Sequence, residues 1–230
     1  DEIKKQWSWY TDWCLENGVP VSTKATLNTD SIPYLLKSIK YLYEEMGITQ
    51  INMNFIMEDM KPTNEDLQLL DKELEKVYEY LIDHRSEIYL SLFDKDMNCG
   101  KPMKEDENSC KGRCGSGAMP ALGINGKIYP CFRYLPHTAI EERIDFNVGD
   151  IENGFNRKDR FKIVRDATRE KISPDKCREC PIESMCPYCI GGCYAEFGEF
   201  KRTTYICEIS KIQDKWAKLY WRKYDQIEGT

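Results

Sequence analysis

The chain has 230 residues, 41% of them hydrophobic, which is enough apolar material for one large folded domain or two modest ones. Its net charge is −6 and it contains no continuous basic face, so we expect no nucleic-acid partner. It contains neither an apolar run of transmembrane length nor a signal peptide, so we expect a soluble, cytoplasmic protein with no membrane partner.

The first 94 residues are predicted to alternate between helix and strand. The predicted helices span about 2–16, 35–46 and 63–81. The predicted strands span about 19–27, 48–57 and 88–93. The last of these helices begins with Thr63 and Asp66, which resemble a capping box. Strands that alternate with long helices indicate parallel βαβ units, and three strands make half of a barrel. We therefore predict an α/β half-barrel over residues 1–94.

The sequence pattern changes after residue 94. Residues 95–109 are polar and rich in Lys, Glu, Gly and Pro, so we predict a linker there. Residues 110–230 are predicted to form a small α+β domain that ends in a helix over about 205–224. In this domain Asn125-Gly126 lies between apolar residues and predicts a β-hairpin whose two turn residues both have positive φ.

Eleven cysteines are present, and nine of them follow a distinctive spacing in the second half of the chain. They run as Cys110-x3-Cys114, Cys131, Cys177-x2-Cys180-x5-Cys186-x2-Cys189-x3-Cys193 and Cys207. The repeated C-x2-C spacing favours metal over disulfides, because two thiolates one turn apart converge on one centre. Zinc stays open as an alternative, although Cys180 and Cys186 are close together for a zinc ribbon. Nine cysteines suit two four-thiolate iron–sulfur clusters, and Gly191-Gly192 allows the close backbone approach that a bulky cluster needs.

The order Cys114, Gly126-x4-Cys131, C-x2-C-x5-C, GG-C and Cys207 resembles the SPASM domain, and the resemblance covers about 100–224. SPASM is the C-terminal auxiliary-cluster domain of radical S-adenosylmethionine (SAM) enzymes that modify peptides and proteins. Residues 19–93 resemble the later βα units of the radical SAM partial barrel. Together the two parts are similar to maturases of ribosomally made peptides, particularly those that form thioethers. The resemblance thus implies a barrel part at 1–94 and a SPASM domain with its C-terminal helix at 110–230.

The resemblance also implies two auxiliary [4Fe–4S] clusters. The first set of ligands is Cys110, Cys114, Cys131 and either Cys189 or Cys193. The second set is Cys177, Cys180, Cys186 and Cys207. The chain departs from the family at Cys186, Cys189 and Cys193, because the family has only two cysteines there, in a C-x3-C arrangement. One of these thiols is therefore a spare or an alternate ligand, and which of them ligates which cluster stays open. Cys14 and Cys99 fall outside the pattern.

For cofactors and partners, the resemblance implies SAM in the complete enzyme, a precursor peptide as substrate, and an electron donor such as flavodoxin or ferredoxin. Lys24, Asn52 and Asn54 lie on predicted barrel strands and are candidates to line the SAM pocket. Ordinary roles in the strands explain these three residues equally well.

The catalytic C-x3-C-x2-C run of radical SAM enzymes does not occur in this sequence. We therefore expect the chain to be the C-terminal part of a longer enzyme and to be inactive alone. Sulfatase-maturing relatives carry an Asp base after the hairpin-side cysteine, whereas Phe132 follows Cys131 here, so no catalytic residue is assigned. The alternative hypothesis is a non-catalytic peptide-binding module stabilised by zinc or by a cluster.

Overall fold

A computed structural model describes residues 2–56, 60–94, 116–135, 145–182, 186–202, 204 and 206–229. These residues belong to two compact units. Unit 1 lies within Asp1–Ile56, Met60–Gly100 and Cys207–Thr230, and unit 2 lies within Met57–Asp59 and Lys101–Ile206. The predicted linker, 95–109, lies outside the described residues.

The regular elements alternate in unit 1 and are shorter in unit 2. The helices are α1 (Glu2–Glu16), α2 (Leu35–Lys40), α3 (Asn64–Asp83), α4 (Lys158–Asp166), α5 (Arg169–Ile172), α6 (Ile190–Phe197) and α7 (Cys207–Glu228). The strands are β1 (Ser22–Leu27), β2 (Gln50–Phe55), β3 (Tyr89–Leu90), β4 (Ala121–Leu122), β5 (Lys127–Tyr129) and β6 (Gly149–Asp150). Short 3-10 helices cover Thr29–Tyr34, Ser91–Phe93, Phe132–Tyr134 and Asp175–Cys177, and a π turn covers Tyr41–Glu45. Among the described residues, no helix combines the length and the apolar content needed to cross a membrane.

The sheet of unit 1 is parallel, with strand order β1-β2-β3, as the alternation of helix and strand predicted. The predicted capping box of α3 is also confirmed. The Thr63 hydroxyl accepts a hydrogen bond from the Asp66 backbone N–H at 3.2 Å, and the Asp66 carboxylate accepts one from the Thr63 backbone N–H at 2.8 Å. Two N–H groups that a helix start leaves without intrahelical partners are therefore satisfied by neighbours in sequence.

One strand of unit 1 is shorter than the sequence pattern predicted. β3 ends at Leu90 because the next residue, Ser91, bonds to the neighbouring strand through its side chain instead of its backbone. The Ser91 hydroxyl accepts from the Met53 backbone N–H at 2.8 Å and donates to the Met53 carbonyl at 2.9 Å. The backbone of Ser91–Phe93 is thereby released to form a 3-10 turn.

Helix α7 packs within unit 1 against α3 and the 3-10 turn after β3. Its Lys215 ammonium and Trp216 indole both donate to the Asp71 carboxylate of α3, at 2.6 and 2.7 Å. The Trp221 indole donates to the Phe93 carbonyl at 2.6 Å. The sequence analysis predicted that this helix belongs to the domain at 110–230. In the structure it belongs to unit 1 with the parallel sheet, because its apolar face and these polar side chains contact α3 and the turn.

The sheet of unit 2 is antiparallel, with strand order β4-β5-β6, and the predicted hairpin joins β4 to β5. Its turn differs from the prediction. Gly126 has φ +72°, but Ser86 is the only non-glycine residue with positive φ in the described part of the chain, so Asn125 does not share this conformation. The loop covers four residues, because Gly123 N–H bonds to the Lys127 carbonyl at 2.9 Å. The Asn125 side chain replaces a second left-handed residue by accepting from the Lys127 N–H at 3.1 Å.

Candidate functional site

One face of the parallel sheet is polar and open to solvent. The register places Lys24 opposite Asn52 and Thr26 opposite Asn54, so these side chains share that face. Lys24 and Asn54 are exposed and Asn52 is half-buried, whereas the alternate residues Ile51 and Met53 are buried. A parallel sheet normally has both faces covered, so an exposed polar face marks a place where a ligand or another chain segment binds.

The three predicted residues keep their hydrogen-bonding groups available. Within the described ranges, the side chains of Lys24, Asn52 and Asn54 make no hydrogen bond or ion pair. One ammonium and two amides therefore provide a cation, donors and acceptors on one surface. These are the groups that bind the carboxylate and the polar atoms of a ligand such as SAM, so the residues present fit that cofactor in their chemistry.

Tyr89 of β3 adds a hydroxyl to the same face, because its register partner is Gln50 on the Asn52 side of β2. Burial first, and then its hydrogen bond to the Asp94 carboxylate, raise the pKa of Tyr89 to about 12. The hydroxyl therefore stays protonated at neutral pH. The sequence analysis missed Tyr89, because its strand is only two residues long and shows no alternation.

Cys131 and Cys193 lie on two parts of unit 2 that touch each other. Cys131 precedes the Phe132–Tyr134 turn, which packs against α6, and Cys193 belongs to α6. Both thiols are buried, with 4% and 2% of the residue exposed. Cys131 also shares a buried cluster with Tyr194, the neighbour of Cys193 in sequence. The Ser116 hydroxyl lies 3.4 Å from the Cys131 sulfur.

The start of α6 brings backbone N–H groups towards sulfur. Cys189 caps this helix, and its Sγ accepts a hydrogen bond from the Gly192 N–H at 3.2 Å. A Cβ added at Gly191 would lie 2.6 Å from the Arg133 Cβ, so only glycine allows this close approach of helix and turn. Gly191 therefore has a packing role in the contact between α6 and the turn, whereas the predicted approach of Gly191-Gly192 to a cluster stays a prediction.

Cys177, Cys180 and Cys186 lie in irregular structure before α6. Cys177 ends the 3-10 turn Asp175–Cys177, and Cys180 N–H bonds to the Cys177 carbonyl at 3.2 Å. Cys186 N–H bonds to the Ile182 carbonyl at 2.8 Å. Cys177 and Cys186 are both buried, with 8% of each exposed, and Cys180 is half-buried.

Arg202 is the second candidate residue that the sequence analysis missed, and this one lies near the cysteines of unit 2. It is buried, and its guanidinium donates to the Cys186 carbonyl at 3.2 Å and to the Ser173 hydroxyl at 3.1 Å. It thus joins the segment that leads into Cys177 to the segment that carries Cys186. No motif in the sequence identifies such a residue.

The predicted ligand sets are only partly described. Cys110, Cys114 and Cys99 lie outside the described residues. Cys207 is the half-buried first residue of α7 in unit 1, and Cys14 is buried on α1. Within the described ranges, no group of three or more His, Cys, Asp or Glu residues is placed to hold a metal ion, and no disulfide joins two described cysteines.

The residues present nevertheless fit thiolate–metal centres in their chemistry. The described cysteines of unit 2 are buried or half-buried, as cluster ligands are, rather than exposed on the surface. The backbone donates to one sulfur, and a buried cation lies one hydrogen bond from Cys186. Hydrogen bonds to sulfur, burial and local charge are the features by which a protein holds and tunes an iron–sulfur cluster.

Comparison with solved structures shows two similar chains. Native anSMEcpe with bound AdoMet has a TM-score of 0.57 and 14% identity, and the match covers 95% of this chain and 60% of that chain. Native anSMEcpe with bound AdoMet and Cp18Cys peptide also has a TM-score of 0.57. Its identity to this chain is 13%, and the match covers 95% of this chain and 61% of that chain. The chain therefore spans about three fifths of the length of these solved chains.

No model of a known protein family matches the chain, and no curated protein matches its sequence. At this level of identity, the two structures show what fold the chain has. The comparison thus supports the resemblance to radical SAM peptide maturases at the level of the fold.

Proposed function

We propose that the chain is the C-terminal part of a radical SAM enzyme that modifies a ribosomally made peptide. In this proposal unit 1 contributes half of the α/β barrel, and the cysteine-rich segment is a SPASM domain. The observation that carries the proposal is the similarity over 95% of the chain to a protein solved with both AdoMet and a peptide. The cysteine spacing supports it independently, because it was recognised from the sequence alone.

The proposed ligands of the first auxiliary [4Fe–4S] cluster are Cys110, Cys114, Cys131 and one thiol from α6 or its cap. The contact between α6 and the Phe132–Tyr134 turn supports this set, since it brings Cys193 and Cys131 onto touching elements. Both Cys189 and Cys193 stay candidates for the last position, because a hydrogen bond such as the one from the Gly192 N–H to the Cys189 sulfur is compatible with cluster ligation. The proposed ligands of the second cluster remain Cys177, Cys180, Cys186 and Cys207.

The polar sheet face is the proposed SAM surface of the complete enzyme. The Lys24 ammonium is suited to the SAM carboxylate, and the Asn52 and Asn54 amides are suited to its hydroxyl and ring nitrogen atoms. The Tyr89 hydroxyl stays protonated at neutral pH and donates to the Asp94 carboxylate. The side chains of Lys24, Asn52 and Asn54 have no hydrogen-bond or ion-pair partner among the described residues, so ligand binding to these three would break no existing hydrogen bond.

When bound, the auxiliary clusters supply one-electron transfer and a metal site for a substrate thiolate. The chain's own residues bury the sulfur atoms, exclude water and set the local charge around them. The proposed partners are a precursor peptide and an electron donor such as flavodoxin or ferredoxin. Thioether formation is the reaction class that the sequence resemblance favours.

An NMR titration of the 15N-labelled chain with SAM tests the assignment of the sheet face. We expect weak binding, with amide shifts confined to β1, β2 and β3, and we expect Lys24→Glu to abolish these shifts. Lys72→Glu is the matched control, because Lys72 is also an exposed lysine of unit 1 but lies on α3. Equal SAM-dependent shifts in wild type and Lys24→Glu would contradict the assignment.

A further inference from the structure

Arg202 is a buried cation held by four contacts in unit 2. Only 4% of the residue is exposed. Its guanidinium donates to the Ser173 hydroxyl at 3.1 Å and to the Cys186 carbonyl at 3.2 Å, and it lies 5.6 Å from the centre of the Tyr188 ring. Its backbone N–H donates to the Ile172 carbonyl at 2.9 Å. The side chain is therefore fixed in one position beside Cys186.

The charge of this guanidinium has no carboxylate partner in the part of the chain that the structure describes. Its two hydrogen bonds go to a hydroxyl and a carbonyl, which are neutral acceptors. Arginine stays protonated in proteins, so burial cannot be relieved by loss of the proton. A buried charge without a counter-charge is strongly unfavourable, and such charges are normally paired or lie beside a metal site.

Cys186, whose carbonyl accepts from Arg202, also carries a group that can become negative, its sulfur. As a thiol it is neutral, but as a metal ligand it is a thiolate, and a centre with four thiolates around iron–sulfur or zinc carries a net negative charge. The carbonyl that Arg202 contacts belongs to the same residue as this sulfur. Arg202 joins two segments of the chain. The first contains Ser173 and leads to Cys177 and Cys180, and the second contains Cys186.

We infer that Arg202 is a positioning residue and the buried counter-charge of a thiolate-bound metal centre built on Cys186. This inference rests on the proposed function for the presence of a cluster, but it concerns the charge and geometry that this chain provides around it. A fixed positive charge beside a cluster favours the reduced, more negative state, so Arg202 raises the reduction potential of this centre.

Three variants of the full chain, purified anaerobically, test the inference. Arg202→Met removes the charge and keeps the apolar bulk, whereas Arg202→Lys keeps the charge and loses the forked hydrogen bonding. Arg160→Met is the matched control, because the Arg160 guanidinium also bonds to two carbonyls, at 2.9 and 3.2 Å, and lies 5.6 Å from the Phe146 ring. The carbonyls that Arg160 contacts belong to Asp145 and Asn147, and neither segment carries a cysteine.

Three measurements are compared: metal retention against a chelator, the reduction potential of the retained cluster, and thermal unfolding with and without metal. For Arg202→Met we expect metal affinity to fall about 10- to 100-fold, as for other residues that support metal ligands. We expect its retained cluster to have a lower potential, and Arg202→Lys to have a potential near that of wild type. Without metal, Arg202→Met is expected to unfold no earlier than wild type, because the buried charge then lacks its counter-charge. Arg160→Met is expected to change stability while leaving the potential unchanged.

The inference is overturned if Arg202→Met keeps the wild-type metal affinity and potential, or if it destabilises the metal-free and metal-bound chains equally. That result would make Arg202 an ordinary structural contact and would leave the proposed function intact, because wild type would still contain its clusters. Stoichiometric zinc in wild type would overturn the proposed function, and chelator competition would still test Arg202. If the wild-type chain binds neither an iron–sulfur cluster nor zinc, both the inference about Arg202 and the proposed function are overturned.

Discussion

At Gly191 the packing of unit 2 leaves no room for a Cβ atom. It is the second residue of α6, and the nearest atoms to a Cβ built there are the Arg133 Cβ at 2.6 Å and the Tyr134 ring at 3.2 Å. The first neighbour is the Cβ atom of a side chain fixed close to its backbone, so it has little freedom to move away. The turn that follows Cys131 and the helix that carries Cys193 therefore depend on a glycine at this position.

Gly191→Ala is expected to destabilise unit 2 and to lower metal retention. Overpacking costs about 1–3 kcal/mol, and a contact as short as this belongs to the upper part of that range. The helix propensity of alanine offsets about 1 kcal/mol of this cost. Urea unfolding and metal content are the measurements, with Phe197→Ala at an exposed position of the same helix as control. If Gly191→Ala is as stable as wild type, the close contact does not constrain the fold.

At the scale of elements, Asp71 joins α3 to α7. Burial alone would raise the pKa of its carboxyl group, but the hydrogen bonds from Lys215 and Trp216 and the charge of Lys215 outweigh burial and lower the pKa. A carboxylate whose pKa is lowered by folding adds to the free energy of unfolding. This contribution is fully present above the unfolded-state pKa of about 3.9 and is lost as the pH falls through the folded-state pKa.

Asp71→Asn is expected to cost about 0.5–1 kcal/mol at neutral pH, because the ion pair is partly exposed and the asparagine oxygen still accepts from Trp216. The difference in unfolding free energy between variant and wild type should start to shrink below pH about 3.9 and disappear as the pH falls through the lowered folded-state pKa, where the folded wild-type carboxylate becomes protonated. Urea unfolding at neutral and acidic pH measures it. A difference that stays constant with pH would show that charge plays no part in this contact.

The sequence predicted those elements whose determinants are close together in the chain. The capping box of α3 needed only Thr63 and Asp66, three residues apart. The early end of β3 was not predictable, because the Ser91 hydroxyl replaces the strand pairing by bonding to Met53, 38 residues away. The hairpin was predicted correctly, but the predicted backbone conformation of its turn was wrong. The Asn125 side chain accepts a hydrogen bond in the turn, and the Asn125 backbone does not adopt the predicted positive φ.

In the candidate site too, features set by residues close together in the chain were predicted, and features set by long-range contacts were not. The cysteine spacing is a local pattern, and the alternation of Asn52 and Asn54 with apolar residues identified one sheet face from the sequence. Arg202 was not predictable, because its side-chain partners lie 16 and 29 residues away and only folding brings them together. Long-range polar contacts of buried side chains leave no periodic signal in a single sequence.

At the scale of the whole molecule, this chain alone is expected neither to cleave SAM nor to modify a peptide. Reductive cleavage needs an iron with an open coordination position, and the resembled enzymes hold that iron with a C-x3-C-x2-C run that this sequence does not contain. Among the described residues of unit 1, the cysteines are Cys14, buried on α1 before the first strand, and Cys207.

The assay for this expectation is anaerobic incubation of the reconstituted chain with dithionite and SAM, followed by detection of 5′-deoxyadenosine. The control contains the reductant and SAM without protein. Turnover above this control would mean that a cluster assigned here as auxiliary generates the radical. The ligand assignment would then have to be rebuilt around Cys110 and Cys114.

The most direct test of the central claim is quantitative iron and acid-labile sulfide analysis of the anaerobically purified chain. Two [4Fe–4S] clusters predict about eight irons and about eight sulfides per chain, together with a brown colour. Cys207→Ala is expected to lose about half of this iron, because only the second of the two proposed clusters uses this ligand. Stoichiometric zinc without acid-labile sulfide would contradict the account and favour the zinc-stabilised peptide-binding module.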